Sequence, residues 1–256
     1  MKTGSIHPRW LSSMENKKIP AKLYLCATPI GNLEDITLRC LRILRGAAAV
    51  YCEDTRNTLK LMNHFEIKKT LISCHEHNEE QRANEIAERV RGGEAIAFVS
   101  DAGMPGVSDP GSRLVRFFVE NNLPFEVLPG ANAVLTAWVM SGLPTESLYF
   151  CGFIPRSGAE RSESVERIKN SEATVVLYES PHRVAAIFAD FSELFPNREC
   201  ALVREITKTF EQVIRGTAAE LAARFAESEP KGECVIVISP CDNNLSLIHI
   251  SEPTRP

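Results

Sequence analysis

The sequence predicts an α/β protein of two α/β domains, with a mostly parallel sheet in the N-terminal domain and a mixed sheet in the C-terminal one. Two observations carry this. From Lys22 to Gly142, short apolar runs alternate with amphipathic helical patterns, the signature of successive βαβ units. Beyond that point strands also arrive without a helix between them, as across Ala201 to Gly216, so antiparallel neighbours are expected. At 256 residues the chain is long enough for two separate cores.

The elements follow in order. KLYLCATP (22–29) reads as a strand and DITLRCLRILRG (35–46) as a helix, with Asp35 as N-cap and Gly46 as stop. AAAVYCED is the next strand, TRNTLKLMNHF the next helix and KTLISCH a third strand. The helix NEEQRANEIAERVRGG opens with Asn78 and Gln81 in capping-box spacing and carries Ala83, Ile86, Ala87 and Val90 on one face. AIAFVS, SRLVRFFVENN, FEVLP and ANAVLTAWVMSG complete the N-terminal domain (22–143) as strand, helix, strand and helix. GLPTES is the expected linker. The C-terminal domain (148–239) then reads SLYFCGF (strand), GAERSESVERIKN (helix), ATVVLYES (strand), PHRVAAIFADFSELF (helix), RECALVRE and FEQVIRG (strands), TAAELAARFAES (helix) and GECVIVIS (strand). Residues 1–21 read as a loose basic extension without the apolar core of a secretory signal, and 240–256 as a tail of cloning or sequencing read-through.

Composition excludes several classes. Apolar residues are 44% and charged residues 24%, ordinary for a soluble enzyme. A net charge of −4 argues against a protein that coats nucleic acid, while leaving room for a local basic groove. No apolar run approaches the roughly 20 residues that span a bilayer. The eight cysteines lack any CxxC, and Cys26, Cys52, Cys74, Cys151 and Cys234 fall in or beside apolar runs, as buried free thiols of a reducing compartment do. A cytoplasmic location is expected.

Five loops gather at the carboxyl ends of the first five strands: ATPIGNLED, CEDTRNT, CHEHNEE, SDAGMPGVSDPG and LPGANA. Ligands of open parallel sheets sit there. The glycines permit close approach of backbone to ligand, and the helix starts expose N–H donors. No GxxxxGK[ST] is present, and ATPIGN offers one glycine where a dinucleotide fold uses three. A ligand with ribose, base and amino-acid groups but no phosphate fits these loops.

In this order, TPIGNLEDIT, CEDTRNT, HEHNE, SDAGMPGVSDPG, PGANA, SGLPT, YESPHR, REITKTFE and KGE resemble the ribosomal RNA small-subunit 2′-O-methyltransferases, which modify a cytidine ribose. These belong to the tetrapyrrole-methylase-like superfamily of S-adenosylmethionine (AdoMet) enzymes. The likeness covers Lys22 to Ser239. It implies AdoMet in a cleft between the two domains, a homodimer, and small-subunit ribosomal RNA as substrate, taken as an assembled subunit. The cofactor contacts it implies are Pro29, Gly31 and Asn32, then Asp101, Ala102, Gly103 and Met104, then Asn132 and Ala133, with Tyr178, Gly232 and Glu233 from the second domain. Met104 and Asn132 depart from the family, which has a small hydroxylated residue and a serine at those places.

Methyl transfer to a ribose hydroxyl needs positioning and removal of a proton. Glu53 and Asp54, His75 and His77, and Glu205 with Lys208 are the candidate groups; Glu53, Lys208 and Glu205 are assigned to catalysis. Asp54 also suits a simple helix cap before Thr55, and Lys208 a solvated surface position. Arg56, His75, His77, Arg156 and Arg183 are assigned to RNA, within a groove that Lys60 and Arg161 extend. HEHN places two rings on one face, but zinc needs further ligands that do not lie close in sequence, so no metal is expected. Rival readings are a tetrapyrrole C-methyltransferase, a non-catalytic nucleotide-binding module and, disfavoured by the missing glycines, a nicotinamide oxidoreductase.

Overall fold

The computed structural model describes residues 19–241, and the two expected terminal extensions lie largely outside them. The chain divides into two compact units at Ala133/Val134, just as a helix begins, nine residues before the expected linker at Gly142.

The first unit contains β1 (Leu23–Cys26), β2 (Ala49–Cys52), β3 (Leu71–Ser73), β4 (Ile96–Val99) and β5 (Phe125–Leu128) in the spatial order β3-β2-β4-β1-β5. Every pairing in this sheet is parallel, as the alternating pattern predicts. Between the strands run α1 (Leu38–Gly46), α2 (Thr55–His64), α3 (Glu79–Arg91) and α4 (Ser112–Glu120). Tyr24, Cys26, Val50 and Cys52 turn to the α1/α2 layer, whereas Leu23, Leu25, Ala49 and Tyr51 turn to the α3/α4 layer. Both faces are covered, so the strands read as continuous apolar runs rather than alternating ones.

Two expected caps differ. Asp35 does not open α1; it ends a 3-10 turn (Leu33–Asp35) that the Asn32 side chain caps at Glu34 N. Thr37, extended and two residues later, accepts the Cys40 amide at 3.1 Å and caps the helix instead. Asn78 does precede α3, but its side chain makes no cap bond there. Its Oδ1 accepts from His75 N at 2.8 Å and its Nδ2 donates to Ser73 O, so the amide folds back on the loop before it rather than forward onto the helix.

The second unit carries α5 (Ala133–Ser141), β6 (Leu148–Phe153), α6 (Ala159–Lys169), β7 (Thr174–Glu179), α7 (Pro181–Leu194), β8 (Glu199–Arg204), β9 (Gln212–Thr217), α8 (Ala218–Glu227) and β10 (Cys234–Ile238). Its sheet runs β6-β7-β10-β8-β9, with β6 parallel to β7 and the other pairs antiparallel. The mixed character follows from β8 and β9 meeting without a crossover helix. Thr217 and Glu220 form a reciprocal capping box that starts α8. The core gathers Val175, Leu177, Phe188, Phe191, Leu202 and Ile236.

Candidate functional site

The parallel sheet places a crevice. β1 and β4 are neighbours, and the helices that follow them, α1 and α4, pack on opposite faces of the sheet, so the loops after these two strands leave toward opposite faces. Across that point the chain is stitched together. Thr28 N donates to Gly103 O at 2.9 Å, and Gly103 N donates to Thr28 O at 3.0 Å. Gly103 has φ +76°, and a Cβ there would stand 3.2 Å from Ile30 Cγ2 and 3.6 Å from Ala131 O. A Cβ on Gly130 would stand 2.7 Å from Ala27 Cβ. Three of the sequence-selected loops therefore converge: Pro29, Gly31 and Asn32 on the first, Asp101 to Met104 on the second, and Asn132 with Ala133 where the third enters α5.

Carboxylates gather beside this junction. Asp101 Oδ1 accepts from Asp54 N at 3.2 Å, and its Oδ2 accepts from Asn57 Nδ2 at 2.9 Å. Its own amide donates to Glu53 Oε2 at 3.4 Å. Burial, then the Asp101 charge, raises the Glu53 pKa, with His75 opposing. Asp109 is pushed up to about 6, by burial first and then by Glu53 and Asp101. Asp54 behaves oppositely: the Arg56 guanidinium and backbone hold it down at about 2. It is the N-cap of α2, the alternative reading of that residue. A pocket of about 170 Å³ opens here, lined by Thr28, Pro29, Asn57, Lys60, Ser100 and Asp101 among others. Among the described residues, no group of three His, Cys, Asp or Glu side chains could hold a metal ion.

At the rim, the His75 and His77 rings stand edge to face with centroids 5.9 Å apart. Arg56 is 85% exposed at its side chain while bound to Asp54. Sequence reasoning left Asn57, Asp109 and Glu79 unassigned. Asn57 and Asp109 lie inside quoted motifs, and only folding shows that they face Asp101. Glu79 carried less signal still, because a glutamate at a helix start reads as solvated, yet it is 2% exposed.

In the second unit, Glu205 and Lys208 meet the KGE turn. Glu205 Oε1 accepts from Glu233 N and from Lys208 Nζ, each at 3.0 Å, and Lys208 also pairs with Glu233 at 3.1 Å. The Glu233 amide and then Lys208 lower the Glu205 pKa. Burial opposes the charge on Lys208, but the two carboxylates outweigh it and raise its pKa. Gly232 has φ +86°, and its absent Cβ would sit 2.4 Å from Glu205 Cδ. Tyr178 packs against Phe150 and Phe153, with ring centroids 5.1 and 5.6 Å away.

Arg183 is turned inward. Its Nη2 donates to Ile154 O at 2.8 Å, and its Nε lies 3.4 Å from the buried Glu179 carboxylate. Arg161 donates to Pro155 O and pairs with Asp190. Both tie down the turn after β6, whereas Arg156 within that turn is exposed.

An open parallel sheet whose β1 and β4 loops are joined, followed by a mixed sheet, defines a two-unit α/β protein. The chain belongs to the Tetrapyrrole (Corrin/Porphyrin) Methylases, whose family pattern matches residues 22–222. It is 45% identical over 226 residues to "Ribosomal RNA small subunit methyltransferase I" of Halalkalibacterium halodurans, covering 88% of this chain and 78% of that one. It is 40% identical to the protein of the same name from Bacillus subtilis, covering 90% and 79%. Among solved structures, uroporphyrin-III C-methyltransferase of Thermus thermophilus complexed with S-adenyl homocysteine superposes with a TM-score of 0.61 at 19% identity, covering 85% of this chain and 97% of that one. At that identity the likeness concerns the fold.

Proposed function

We propose that this chain transfers a methyl group from AdoMet to the ribose 2′-hydroxyl of a cytidine in small-subunit ribosomal RNA. Two curated relatives at 40–45% identity carry the name of a small-subunit rRNA methyltransferase, and this chain spans most of their length. The observation that carries the cofactor reading is the convergence of three loops on the Thr28–Gly103 pair beside Asp101 and Asp109. AdoMet has cationic groups and ribose hydroxyls, which carboxylates accept, and no phosphate, which they would repel. The donor set therefore fits it.

Pro29, Gly31, Asn32, Asp101, Ala102, Gly103, Met104, Asn132 and Ala133 would hold the cofactor in the first unit, and Tyr178, Gly232 and Glu233 are the contacts assigned to the second. AdoMet, when bound, supplies a methyl group on a positive sulfur that leaves as a neutral thioether. Glu53 is the proposed acceptor of the ribose proton, because its partly buried carboxyl holds a proton more readily than a solvated one. Glu205, whose pKa is lowered by fixed partners, serves by holding the KGE turn and Lys208 in place.

On the RNA side, Arg56, His75, His77 and Arg156 are the exposed or rim groups that would meet phosphate and sugar, with Lys60 beside the pocket. Arg183 and Arg161 contribute by fixing the turn that presents Arg156. The substrate is read as an assembled small subunit, the protein as a cytoplasmic homodimer. No helix among the described residues is long and apolar enough to cross a membrane.

The test is transfer of label from methyl-labelled AdoMet to small ribosomal subunits from a strain lacking the modification, followed by nucleoside digestion. Label in 2′-O-methylcytidine supports the reading. Binding of AdoMet with no labelled nucleoside would move the assignment to tetrapyrrole substrates.

A further inference from the structure

The N-terminus of α4 has no cap of its own. Its N-cap is Gly111, which carries no side chain and so makes no side-chain cap bond. The acceptor comes from another element. Glu79 Oε1 accepts the Gly111 amide at 3.0 Å and the Leu114 amide at 2.8 Å, reaching across from the first residue of α3.

The loop that Glu79 terminates has little freedom left to absorb its loss. Gly111 has φ +125°, and its absent Cβ would meet Phe98 at 3.1 Å and Gly106 N at 3.2 Å. Gly106 N in turn donates to Pro110 O at 3.0 Å, closing the loop on itself. At its other end the loop is held by the Thr28–Gly103 pair. Asp101 to Met104 therefore lie on a segment fixed at two points, of which Glu79 is one. Glu79 also follows directly on the turn from His75 to Asn78, and an exposed ion pair between Glu76 and Arg113, at 3.8 Å, links that turn to the first turn of α4.

We propose that Glu79 is a positioning residue: through the Gly111 and Leu114 amides it sets the exit of the 100–111 loop and joins that loop to the turn bearing His75 and His77. The inference rests on the reading of this loop as the AdoMet site. Preorganisation of Asp101 to Met104 then contributes to cofactor affinity, because a loop that must be ordered on binding costs affinity.

Four variants test this by calorimetric AdoMet titration, thermal melting and amide exchange at Gly111 and Leu114. Glu79→Ala is expected to raise the AdoMet Kd about tenfold and to expose both amides. Glu79→Gln, which keeps an acceptor oxygen of the same reach, should stay within about twofold of wild type. Glu79→Asp keeps the carboxyl but withdraws the acceptor by one methylene, so an intermediate loss is expected, and it carries the test if Glu79→Ala does not fold. Val90→Ala, a core truncation in the same helix, should lower the melting temperature and leave Kd unchanged. Wild-type affinity in Glu79→Ala, or an equal loss in Val90→Ala, would overturn the inference while leaving the AdoMet reading intact. A wild-type protein that binds no AdoMet would overturn that reading and the inference with it.

Discussion

Thr28 and Gly103 exchange backbone hydrogen bonds in both directions, at 2.9 and 3.0 Å, and so lock the loop after β1 to the loop after β4. The lock requires the glycine. At φ +76° an L side chain costs about 1–2 kcal/mol, and the added Cβ would press on Ile30 at 3.2 Å. Gly103→Ala is expected to weaken AdoMet binding about tenfold by calorimetry, with a smaller effect on the melting temperature. Unchanged affinity would place the cofactor elsewhere.

Glu53→Gln should separate chemistry from binding. Removal of a general base typically costs about 10²- to 10⁴-fold in rate, and that loss is expected in single-turnover methyl transfer. The AdoMet Kd should move by no more than about threefold. If turnover survives at wild-type levels, the ribose proton goes to another group.

The pH dependence of stability reports on Asp109. Its folded pKa of about 6 lies above the unfolded value, so the native state binds the extra proton between the two. The associated stability is fully present below about pH 4 and lost as pH rises through about 6. Because the group is part-exposed, the effect is about 1–2 kcal/mol rather than the full shift. In urea titrations, Asp109→Asn should therefore match wild type near pH 4 and exceed it at pH 7.5. Identical curves at both pH values would show that burial does not hold this carboxyl protonated.

Gly232 and Glu205 are predicted to be energetically coupled. Gly232→Ala places a Cβ 2.4 Å from the Glu205 carboxyl carbon at a positive φ, and the loss of stability should exceed 1 kcal/mol, as a strained backbone site gives about 1–3 kcal/mol. Glu205→Ala should relieve part of it, with a coupling of at least about 1 kcal/mol in a double-mutant cycle. Strict additivity would mean that the turn, not the carboxylate, is what resists the methyl group.

Arg56 and Arg183 should part company in experiment. The Arg183 side chain is 26% exposed and holds Ile154 O and Glu179, so Arg183→Ala is expected to cost about 1.5–3 kcal/mol of stability. Arg56, at 85% exposed, should matter to the ligand instead. Arg56→Glu is expected to weaken subunit binding and to lower its salt slope by about 1, with melting unchanged. A stable Arg183→Ala protein with a reduced salt slope would restore Arg183 to the RNA surface.

Much of this protein was legible from sequence because local physics writes it there. Short apolar runs named the strands and the 3.6-fold period the helices, and the unbroken runs of β1, β2 and β4 announced a sheet covered on both faces. The clustering of Gly, Pro and Asp after those strands marked the loops that the Thr28–Gly103 pair joins. Caps were less legible: Asp35 and Thr37 are both good N-caps, and the choice fell to Thr37 because Asn32 had already formed a turn through Asp35.

Tertiary structure alone decided what the polar side chains do. Glu79 and Asp109 are ordinary acidic residues in sequence; burial against the α4 amides makes one a cap, and burial beside Glu53 and Asp101 lifts the pKa of the other. Arg183 reads as a surface cation until Ile154 and Glu179 are brought to it. The reason is physical. Secondary structure depends on neighbours a few residues apart, whereas the desolvation and charge that define a site come from groups 30 to 50 residues away, such as Asp101 with Glu53 and Gly111 with Glu79.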